Sequence, residues 1–335
     1  MSVFKLFALV LGLSVGMQDA VAFAPHRFDA LERRLNHVNS THAQLNVDQR
    51  LRDLTNGIRS DKEKAWLIYQ WVIRHFRHDL KLSARIGDPG KHSLEELFRL
   101  GGGSCAVYAN VTQRLFDKAG LQARTVYGTA KSGTNTRQFG SMPVNHVWNA
   151  VKIDGEWHTV DTTWGAGVVG DGGFERVPSE LFFLMRPEMA VLSYFDEKDQ
   201  FGFQKRFGVT ASLFRQIPED AMYAVGAGFD PRLVLNQQRG STGSPVVKTF
   251  DHVPGAFKVI NAPVLGRLSK RPLKLQLESE VFDEMVVVQG KKWIHLKKQG
   301  NTHALELNPD RGELVLMARR KPTSDYEALL AYQVH

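Results

Sequence analysis

Two strand-like runs around Asp154-Gly155 constrain the fold of this chain more than any other feature. The flanking segments are "NHVWNAVKI" and "EWHTVDTTW". Both residues of an Asp-Gly pair tolerate positive φ, so the pair predicts the two-residue turn of a β-hairpin. Facing positions then sum to 309, which places His146 opposite Thr163 and diagonal to Asp161. Diagonal neighbours lie roughly 7 to 8 Å apart on one face, so the side chains of His146 and Asp161 can meet unless a one-residue bulge separates them.

The chain has a single cysteine, Cys105, within the stretch "GGGSCAVYAN". The pattern "CAVYANVTQRLFDKAG" predicts a helix that closes at Gly120, so Cys105 lies at or next to a helix N-terminus. Unpaired N–H groups and the helix dipole favour the thiolate there, and the thiolate is the nucleophilic form. The preceding glycines add no side-chain bulk, so a substrate backbone can approach closely. A small buried hydrophobe remains the ordinary alternative for a lone cysteine.

A thiolate enzyme also needs a histidine as acid and base, and a third group that orients the imidazole. The predicted hairpin supplies both in His146 and Asp161. Because the chain has 12 histidines, a surface pair remains the alternative for these two residues. Three tryptophans of the hairpin are expected to pack on the sheet rather than to bind substrate: Trp148, Trp157 and Trp164.

The sequence predicts neither a metal nor a cofactor. His75 and His78 lie three residues apart on a predicted helix with no third ligand, which favours a solvated helix face. The stretch "GGGSC" lacks the Gly-Lys-Ser/Thr ending of a phosphate loop. No segment has the spacing of a calcium loop.

Residues 1–22 are interpreted as a secretory signal peptide. Lys5 precedes a short apolar run from Leu6 to Met17, and small residues follow at Ala20 and Ala22. An uncleaved membrane anchor is the alternative, and no later segment is long and apolar enough to span a bilayer. We therefore expect a secreted or periplasmic protein with no membrane span after signal removal. Exported proteins usually pair their cysteines, so an unpaired thiol indicates an intermolecular or a reactive group.

The net charge of +8 limits the classes of partner. A basic protein suits anionic surroundings, so we expect an acidic or anionic partner of the cell envelope as one possibility. Nucleic acid is disfavoured, because the chain has an export signal and no recognisable binding motif. The length of 335 residues is enough for two domains.

Helical patterns precede the cysteine. The segment "FDALERRLNHV" is helical, and "SDKEKAWLIYQWVIRHFRHD" predicts an amphipathic helix that begins with Ser60 and Glu63 in capping-box spacing. A second capping box, Ser93 with Glu96, opens "SLEELFRL", which stops at Gly101. After the cysteine helix, "ARTVYGTA" predicts a strand, and the flexible polar loop "KSGTNTRQFGSM" follows it.

The C-terminal third has a different pattern of predicted secondary structure. Residues 206–245 are predicted to be an irregular connecting region that ends in the linker-like "QQRGSTGSP". Residues 246–335 contain short strand candidates spaced by turn signals, which predicts a β-sandwich-like domain of immunoglobulin type. This domain is expected to dock a partner or to play a structural role.

At these residues the sequence resembles the transglutaminase-like superfamily. The match runs through "GGGSCAVYAN", "AGLQARTVYGTAK" and "NHVWNAVKIDGEWHTVDTTWGAG", in the order Cys, His in "HVWN" and Asp in "VDTTW". Within the superfamily the chain looks most like the branch of the kyphoscoliosis peptidase. The segments "KAWLIYQWVIRHFRHD" and "LFFLMRPEMAVLSYFDEKDQFGFQ" support that branch. The core resemblance covers about residues 60–205, and the tail matches only in pattern.

The resemblance implies an α+β fold, with a papain-like core of helices packed on an antiparallel sheet in residues 23–205. It places a catalytic triad on Cys105, His146 and Asp161, and it implies acyl transfer on protein or peptide amides. Water as the acceptor gives proteolysis or deamidation, and a lysine amine gives cross-linking. Proteolysis is favoured here, and a catalytically silent binding module with the same fold is a further alternative. Ser104 replaces the hydrophobic residue that often precedes the cysteine, which leaves the second oxyanion donor open. The backbone N–H of Cys105 is expected to be one donor.

Overall fold

The computed structural model describes residues 29–41, 46–131, 143–170, 172–219, 221–240, 246–250, 256–322 and 324–335. The signal peptide predicted for residues 1–22 and the loop over residues 132–142 lie outside the described residues. Among the described residues, no helix has the length and apolar character needed to cross a membrane.

Twelve α-helices lie within the described residues. In chain order they are α1 (Asp29–Thr41), α2 (Val47–Thr55), α3 (Asp61–His75), α4 (Leu80–Ile86), α5 (Leu94–Leu100), α6 (Cys105–Lys118), α7 (Thr162–Ala166), α8 (Pro187–Ala190), α9 (Phe203–Phe207), α10 (Ala211–Gln216), α11 (Ala221–Gly226) and α12 (Pro231–Gly240). Two short 3₁₀ turns cover Pro89–Lys91 and Glu180–Phe182.

The strands of the N-terminal part are β1 (Arg77–His78), β2 (Gly102–Gly103), β3 (Ala123–Ala130), β4 (His146–Ile153), β5 (Glu156–Val160), β6 (Val168–Gly170), β7 (Gly173–Glu175) and β8 (Tyr194–Phe195). Those of the C-terminal part are β9 (Lys248–Thr249), β10 (Lys258–Asn261), β11 (Arg267–Leu268), β12 (Leu273–Glu278), β13 (Glu284–Gln289), β14 (Lys292–His295), β15 (Lys297–Gln299), β16 (Thr302–Leu307), β17 (Gly312–Arg319) and β18 (Glu327–Val334).

Helix α3 is the central helix of the first core. Ser60 caps it by accepting a hydrogen bond from the Glu63 N–H, as the capping box predicts. Every residue from Ala65 to Ile73 is buried, so the prediction of an amphipathic helix is wrong. A helix that neighbouring elements cover on every side buries all its faces and has no solvent-exposed polar face. Here α1, α2, α6 and α7 pack around α3.

The segment before the cysteine folds as its caps predict. Ser93 accepts a hydrogen bond from the Glu96 N–H at the start of α5, and Gly101 ends that helix with a φ of 64°. The chain then passes through β2, which pairs in parallel with β1, and enters α6 at Cys105. The fold therefore begins a 14-residue helix at the only cysteine.

The predicted hairpin forms β4 and β5, at one edge of a sheet with the strand order β5-β4-β3-β8. Ile153 pairs with Glu156 and Asn149 pairs with Val160, which is the predicted register. Asp154 and Gly155 both have positive φ, 51° and 86°. The turn type and register predicted from the sequence are therefore confirmed.

The second strand is shorter than the sequence suggests. Strand β5 ends at Val160 and helix α7 begins at Thr162, so Thr163 does not face His146 in the ladder. The reason is a helix cap. The Asp161 carboxylate accepts hydrogen bonds from the N–H groups of Thr163 and Trp164, which stabilises a helical turn where a continued strand would need an extended backbone.

The two faces of this sheet have different neighbours. On one face, α6 packs against β3 and β4, and the Asn149 side chain donates to the Ala109 carbonyl. On the other face lies a smaller cluster that includes Val126, Trp148 and Tyr194. The sheet thus lies between the helical core and an aromatic cluster.

The C-terminal part consists of two sheets that share one apolar core. The strand orders are β10-β12-β16-β15 and β11-β18-β17-β13-β14, with β9 paired to β18. All pairs are antiparallel except β11 with β18. The α+β class and the strand-rich C-terminal region predicted from the sequence are confirmed, and the immunoglobulin type stays a prediction.

Residues 206–245 are not the irregular connection that the sequence predicts. Helix α9 ends at Phe207, and α10, α11 and α12 follow, while residues 241–245 lie outside the described residues. Side chains of this segment pack into the second core: Val209, Phe214, Ile217, Ala221, Ala224, Val234 and Leu235. Short helices broken by Gly and Pro look irregular in sequence, and tertiary packing stabilises them.

Candidate active site

Cys105 is the first residue of α6. Ser104, its N-cap, has an extended backbone and makes no side-chain cap, because its hydroxyl is hydrogen bonded to that of Ser83 at 2.8 Å. Cys105 is partly exposed. The structure thus places the thiol at a helix start within reach of solvent, and it is not the fully buried hydrophobe of the alternative interpretation.

His146 and Asp161 lie in contact at the end of the hairpin. The His146 Nε2 is 2.7 Å from the Asp161 Oδ2, and the two side chains are 8% and 1% exposed. The second carboxylate oxygen, Oδ1, caps α7 through the amides of Thr163 and Trp164. The carboxylate is therefore fixed by backbone donors on one side and faces the imidazole on the other.

Cys105 completes the group. Its side chain lies close enough to His146 and to the backbone N–H of Val147 for both to stabilise the thiolate and lower the pKa of Cys105. Since Asp161 engages Nε2, the ring nitrogen left for Cys105 is Nδ1. The structure brings together all three residues that the sequence singles out, and their catalytic role stays a prediction.

The site favours the charged forms of the thiol and the imidazole. Burial alone would lower the pKa of His146, but the Asp161 carboxylate and then Cys105 outweigh burial and raise the pKa of His146 to about 10. Burial alone would raise the pKa of Cys105, but the hydrogen bond and positive charge of His146 and the Val147 amide lower it below its usual value. The expected resting state is a thiolate next to an imidazolium.

Three aromatic side chains surround the imidazole. The ring of Trp164 is stacked on His146 with centroids 4.9 Å apart, and that of Trp148 is stacked at 6.1 Å. The Tyr194 ring lies 6.3 Å from His146 and packs on both tryptophans. Trp148 packs on the sheet as expected, but Trp164 lies on α7 and is a wall of the site. These rings keep water from the imidazole and strengthen its ion pair.

His78 also faces this site. It lies in β1 and pairs with Gly103, and Gly103 is two residues before Cys105. The prediction of a solvated helix face is therefore wrong for His78. Burial and then the positive charge of His146 lower the pKa of His78. At neutral pH His78 is therefore uncharged while His146 carries a proton. His75 ends α3, with its Nε2 at 2.7 Å from the Phe98 carbonyl oxygen.

Sequence reasoning missed two groups. The hydroxyl of Tyr194 donates to the Asp161 Oδ2 at 2.8 Å, although 33 residues separate them. No local sequence pattern predicts the contact of Tyr194 with Asp161, because this contact depends on the pairing of β8 with β3. The amide of Val147 is the second, and its nearness to the sulfur follows only from the packing of β4 on α6.

Part of this chain is similar to a described family of proteins. Residues 48–162, which include the three site residues, match the model of the transglutaminase-like superfamily. The kyphoscoliosis peptidase of Homo sapiens is 31% identical over 158 residues, which are 46% of this chain and 24% of that protein. The kyphoscoliosis peptidase of Mus musculus is 30% identical over 172 residues, 49% of this chain and 26% of that protein.

The aligned part thus spans about a quarter of the length of these curated relatives. Among solved structures, one described as the crystal structure of a TGase aligns with 43% of this chain and 34% of its own chain, at 18% identity and a TM-score of 0.26. That superposition is too loose to add to the assignment. The resemblance stated from the sequence is confirmed by the family model and by the two peptidases.

Proposed function

We propose that this chain, which carries a domain of the transglutaminase-like superfamily, is a cysteine-dependent enzyme that cleaves amide bonds of proteins or peptides. In this proposal Cys105 is the nucleophile, His146 the acid and base, and Asp161 the group that orients His146. Water is the favoured acceptor, which makes the enzyme a protease. The names of the two similar peptidases support this choice.

One observation carries the proposal. A partly exposed cysteine at a helix start lies beside an imidazole that lowers its pKa, and that imidazole is hydrogen bonded to a buried carboxylate. This arrangement supplies a nucleophile, a proton carrier and an orienting group in one connected set. A binding module would have no need for a thiol with a lowered pKa.

The acylation step follows from this geometry. The Cys105 thiolate attacks the carbonyl carbon of the scissile amide, and negative charge develops on the carbonyl oxygen. The backbone N–H of Cys105, unpaired at the first turn of α6, is the expected donor to that oxygen. The His146 imidazolium then gives its proton to the leaving nitrogen, the C–N bond breaks, and a thioester on Cys105 remains.

Deacylation uses the same groups in reverse. Neutral His146 takes a proton from water, the oxygen attacks the thioester carbonyl, and the C–S bond breaks. The products are a carboxylic acid and the restored pair of thiolate and imidazolium. A lysine amine in place of water would form a new amide, which is the cross-linking alternative.

The experiment that tests this proposal compares the wild-type protein with Cys105→Ala on a library of protein and peptide substrates, with and without a labelled primary amine. Proteolysis releases new termini, whereas cross-linking incorporates the amine. Because Cys105 is the only cysteine, intact mass after iodoacetamide treatment reports on this residue alone. Full activity of Cys105→Ala would refute the proposal. A circular dichroism spectrum that matches that of the wild type would show that a loss of activity is not a loss of fold.

We also propose that the protein is exported, to the periplasm or out of the cell. Support comes from the order of basic, apolar and small residues in the first 22 positions. The N-terminal sequence of the protein recovered from its native compartment tests this, with cleavage near Phe23 expected. An acidic or anionic envelope partner remains part of the proposal, on the strength of the net charge of +8.

A further inference from the structure

Tyr194 is bonded directly to the carboxylate of the proposed triad. Its hydroxyl donates to the Asp161 Oδ2 at 2.8 Å, the same oxygen that engages the His146 Nε2 at 2.7 Å. The Tyr194 side chain is 2% exposed. Burial and then the negative charge of Asp161 raise the pKa of Tyr194 well above its usual value, so its hydroxyl keeps its proton and stays a donor.

Tyr194 shares its strand with a residue of the second core. Strand β8 consists of Tyr194 and Phe195, which pair with Ala130 and Thr129 of β3. Successive side chains of a strand point to opposite faces. Tyr194 accordingly belongs to the aromatic cluster at the imidazole, whereas Phe195 packs against the second core, with its ring 5.4 Å from that of Phe214.

The segment around β8 is anchored on both sides. The Ser193 carbonyl accepts a hydrogen bond from the Lys131 N–H at the end of β3. Val191 and Leu192, just before the strand, are buried in the second core. The position of the Tyr194 hydroxyl is therefore set by contacts that β8 makes with β3 and with the C-terminal part.

We propose that Tyr194 is a positioning residue that keeps the Asp161 carboxylate directed toward His146. Because Tyr194 and Phe195 share β8, the position of the Tyr194 hydroxyl depends on the packing of Phe195 against the C-terminal core. The inference rests on the proposed function, because it assigns a role within the same triad. It gives the C-terminal part a role in the site that is separate from substrate docking.

The hydroxyl controls how strongly Asp161 acts on His146. Two donors share Oδ2, so the imidazole receives only part of the charge of that oxygen. Without the Tyr194 hydroxyl, His146 is the one remaining side-chain donor to Oδ2 among the described residues. The carboxylate then binds the imidazolium proton more tightly. The other titratable groups that face the imidazole are Cys105 on α6 and His78 on β1. Tyr69 on α3 lies within the field of Asp161, and its hydroxyl donates to the Ser179 carbonyl.

Tyr194→Phe tests the positioning role, because it removes one oxygen and keeps the ring. We expect the alkaline limb of the kcat/KM profile to move to higher pH by about half a unit to one unit, as for loss of one neutral hydrogen bond. We expect kcat to fall several-fold with KM unchanged. A purely structural role would lower the melting temperature and leave both limbs in place, which would overturn the inference.

Phe195→Leu tests the path through β8. It should move the alkaline limb in the same direction as Tyr194→Phe and by less, because it loosens the strand without touching Asp161. The matched control is Leu316→Ala, a fully buried change in the same core on β17, which belongs to a different sheet from β8. It should lower stability and leave both limbs unmoved. Equal shifts in both variants would mean general loosening and would overturn the role of β8.

The outcomes separate the two proposals. If the wild type has no Cys105-dependent turnover, the proposed function fails. If the wild type turns over substrate with a bell-shaped profile and Tyr194→Phe has the same limbs, the function stands and the inference on Tyr194 fails. Because Phe195→Leu keeps an apolar side chain, it provides a second test if Tyr194→Phe does not fold.

Discussion

At the scale of single residues, the site depends on opposite pKa shifts of a thiol and an imidazole. His146 gains affinity because Asp161 lies 2.7 Å away in a dry site, and Cys105 loses affinity because the resulting positive charge lies beside it. The pKa shift of Cys105 depends on His146, and part of the pKa shift of His146 depends on Cys105. The pair is therefore expected to titrate as a unit. The profile of activity against pH should have one limb for the proton of Cys105 and one for that of His146.

The first prediction concerns the reactivity of Cys105 across pH. Because the pKa of Cys105 is lowered, the thiolate should persist well below the free-thiol value of about 8.5. Iodoacetamide labelling, followed by intact mass, should proceed at pH 6 far faster than for a model thiol. Activity should fall in acid as Cys105 gains a proton and fall in alkali as His146, with a pKa of about 10, loses one. A thiol that reacts only after denaturation would contradict the site.

The second prediction concerns Asp161→Asn. The change removes the charge that raises the pKa of His146, so the pKa of His146 should fall and that of Cys105 should rise. We expect kcat/KM to drop by roughly two to four orders of magnitude. The cap of α7 should survive, because the asparagine Oδ1 can still accept from the two amides.

A matched control for this change is Asp196→Asn. Asp196 is also buried and also accepts backbone hydrogen bonds, from Lys198 and Gln200, but no hydrogen bond of the described residues joins it to His146. It should lose little activity. A comparable loss in both variants, measured at equal folded fractions, would mean that burial of any carboxylate in this region matters and the pairing with His146 does not.

At the scale of elements, the site is made where a helix start meets a hairpin end. Helix α6 begins at Cys105, β4 begins at His146, and α7 begins after Asp161. Each site residue is thus the first residue of its element or the cap before it. Cys105 and Asp161 lie at helix N-termini, where backbone donors are unpaired, and His146 begins a strand paired with β3. Gly103 permits the entry into α6, with a φ of 155° and Val107 directly above it.

The third prediction concerns Gly103→Ala. A Cβ at this position would lie 2.5 Å from the Val107 Cγ2 and 2.7 Å from its Cβ, and a valine in a helix cannot rotate away. We expect a loss of roughly 1 to 3 kcal/mol in unfolding free energy and slower alkylation of Cys105, because the start of α6 must move. Gly170→Ala is the control, since a Cβ there meets nothing within 4 Å. Equal melting temperatures of the two variants would contradict this account.

At the scale of the whole molecule, the chain forms two large cores, and their border does not follow the predicted domain border at residue 205. Val191 and Leu192 precede that border but are buried with strands of the C-terminal sheets. The helices from α10 to α12 pack on the same core. The segment after the hairpin therefore belongs physically to both parts of the protein.

The fourth prediction follows from this shared core. Leu192→Ala should cost about 2 to 5 kcal/mol, since the side chain is fully buried. Hydrogen exchange should increase in the strands between residues 273 and 334, as it should for Leu316→Ala. Leu67→Ala, in the first core, should instead increase exchange in α3 and α6. If Leu192→Ala produced the pattern of Leu67→Ala, our assignment of the core would be wrong.

The sequence alone determined the features that depend on near neighbours. An Asp-Gly turn set the register of the hairpin, and capping residues set the starts of α3 and α5. Because these signals act over a few residues, they also indicated that His146 could meet Asp161 and that Cys105 begins a helix. All three of these residues lie within the span that matches the family model.

Only the tertiary structure decided the rest. The burial of α3 on every side, the helical packing of residues after 206, and the contact of Tyr194 with Asp161 all join segments far apart in the chain. Local pattern cannot report such contacts, because the free energy that stabilises them comes from apolar surface buried between distant elements. The strand that would have continued past Asp161 became a helix for a related reason, since its carboxylate and the packing of α7 on α3 outweighed the strand pattern.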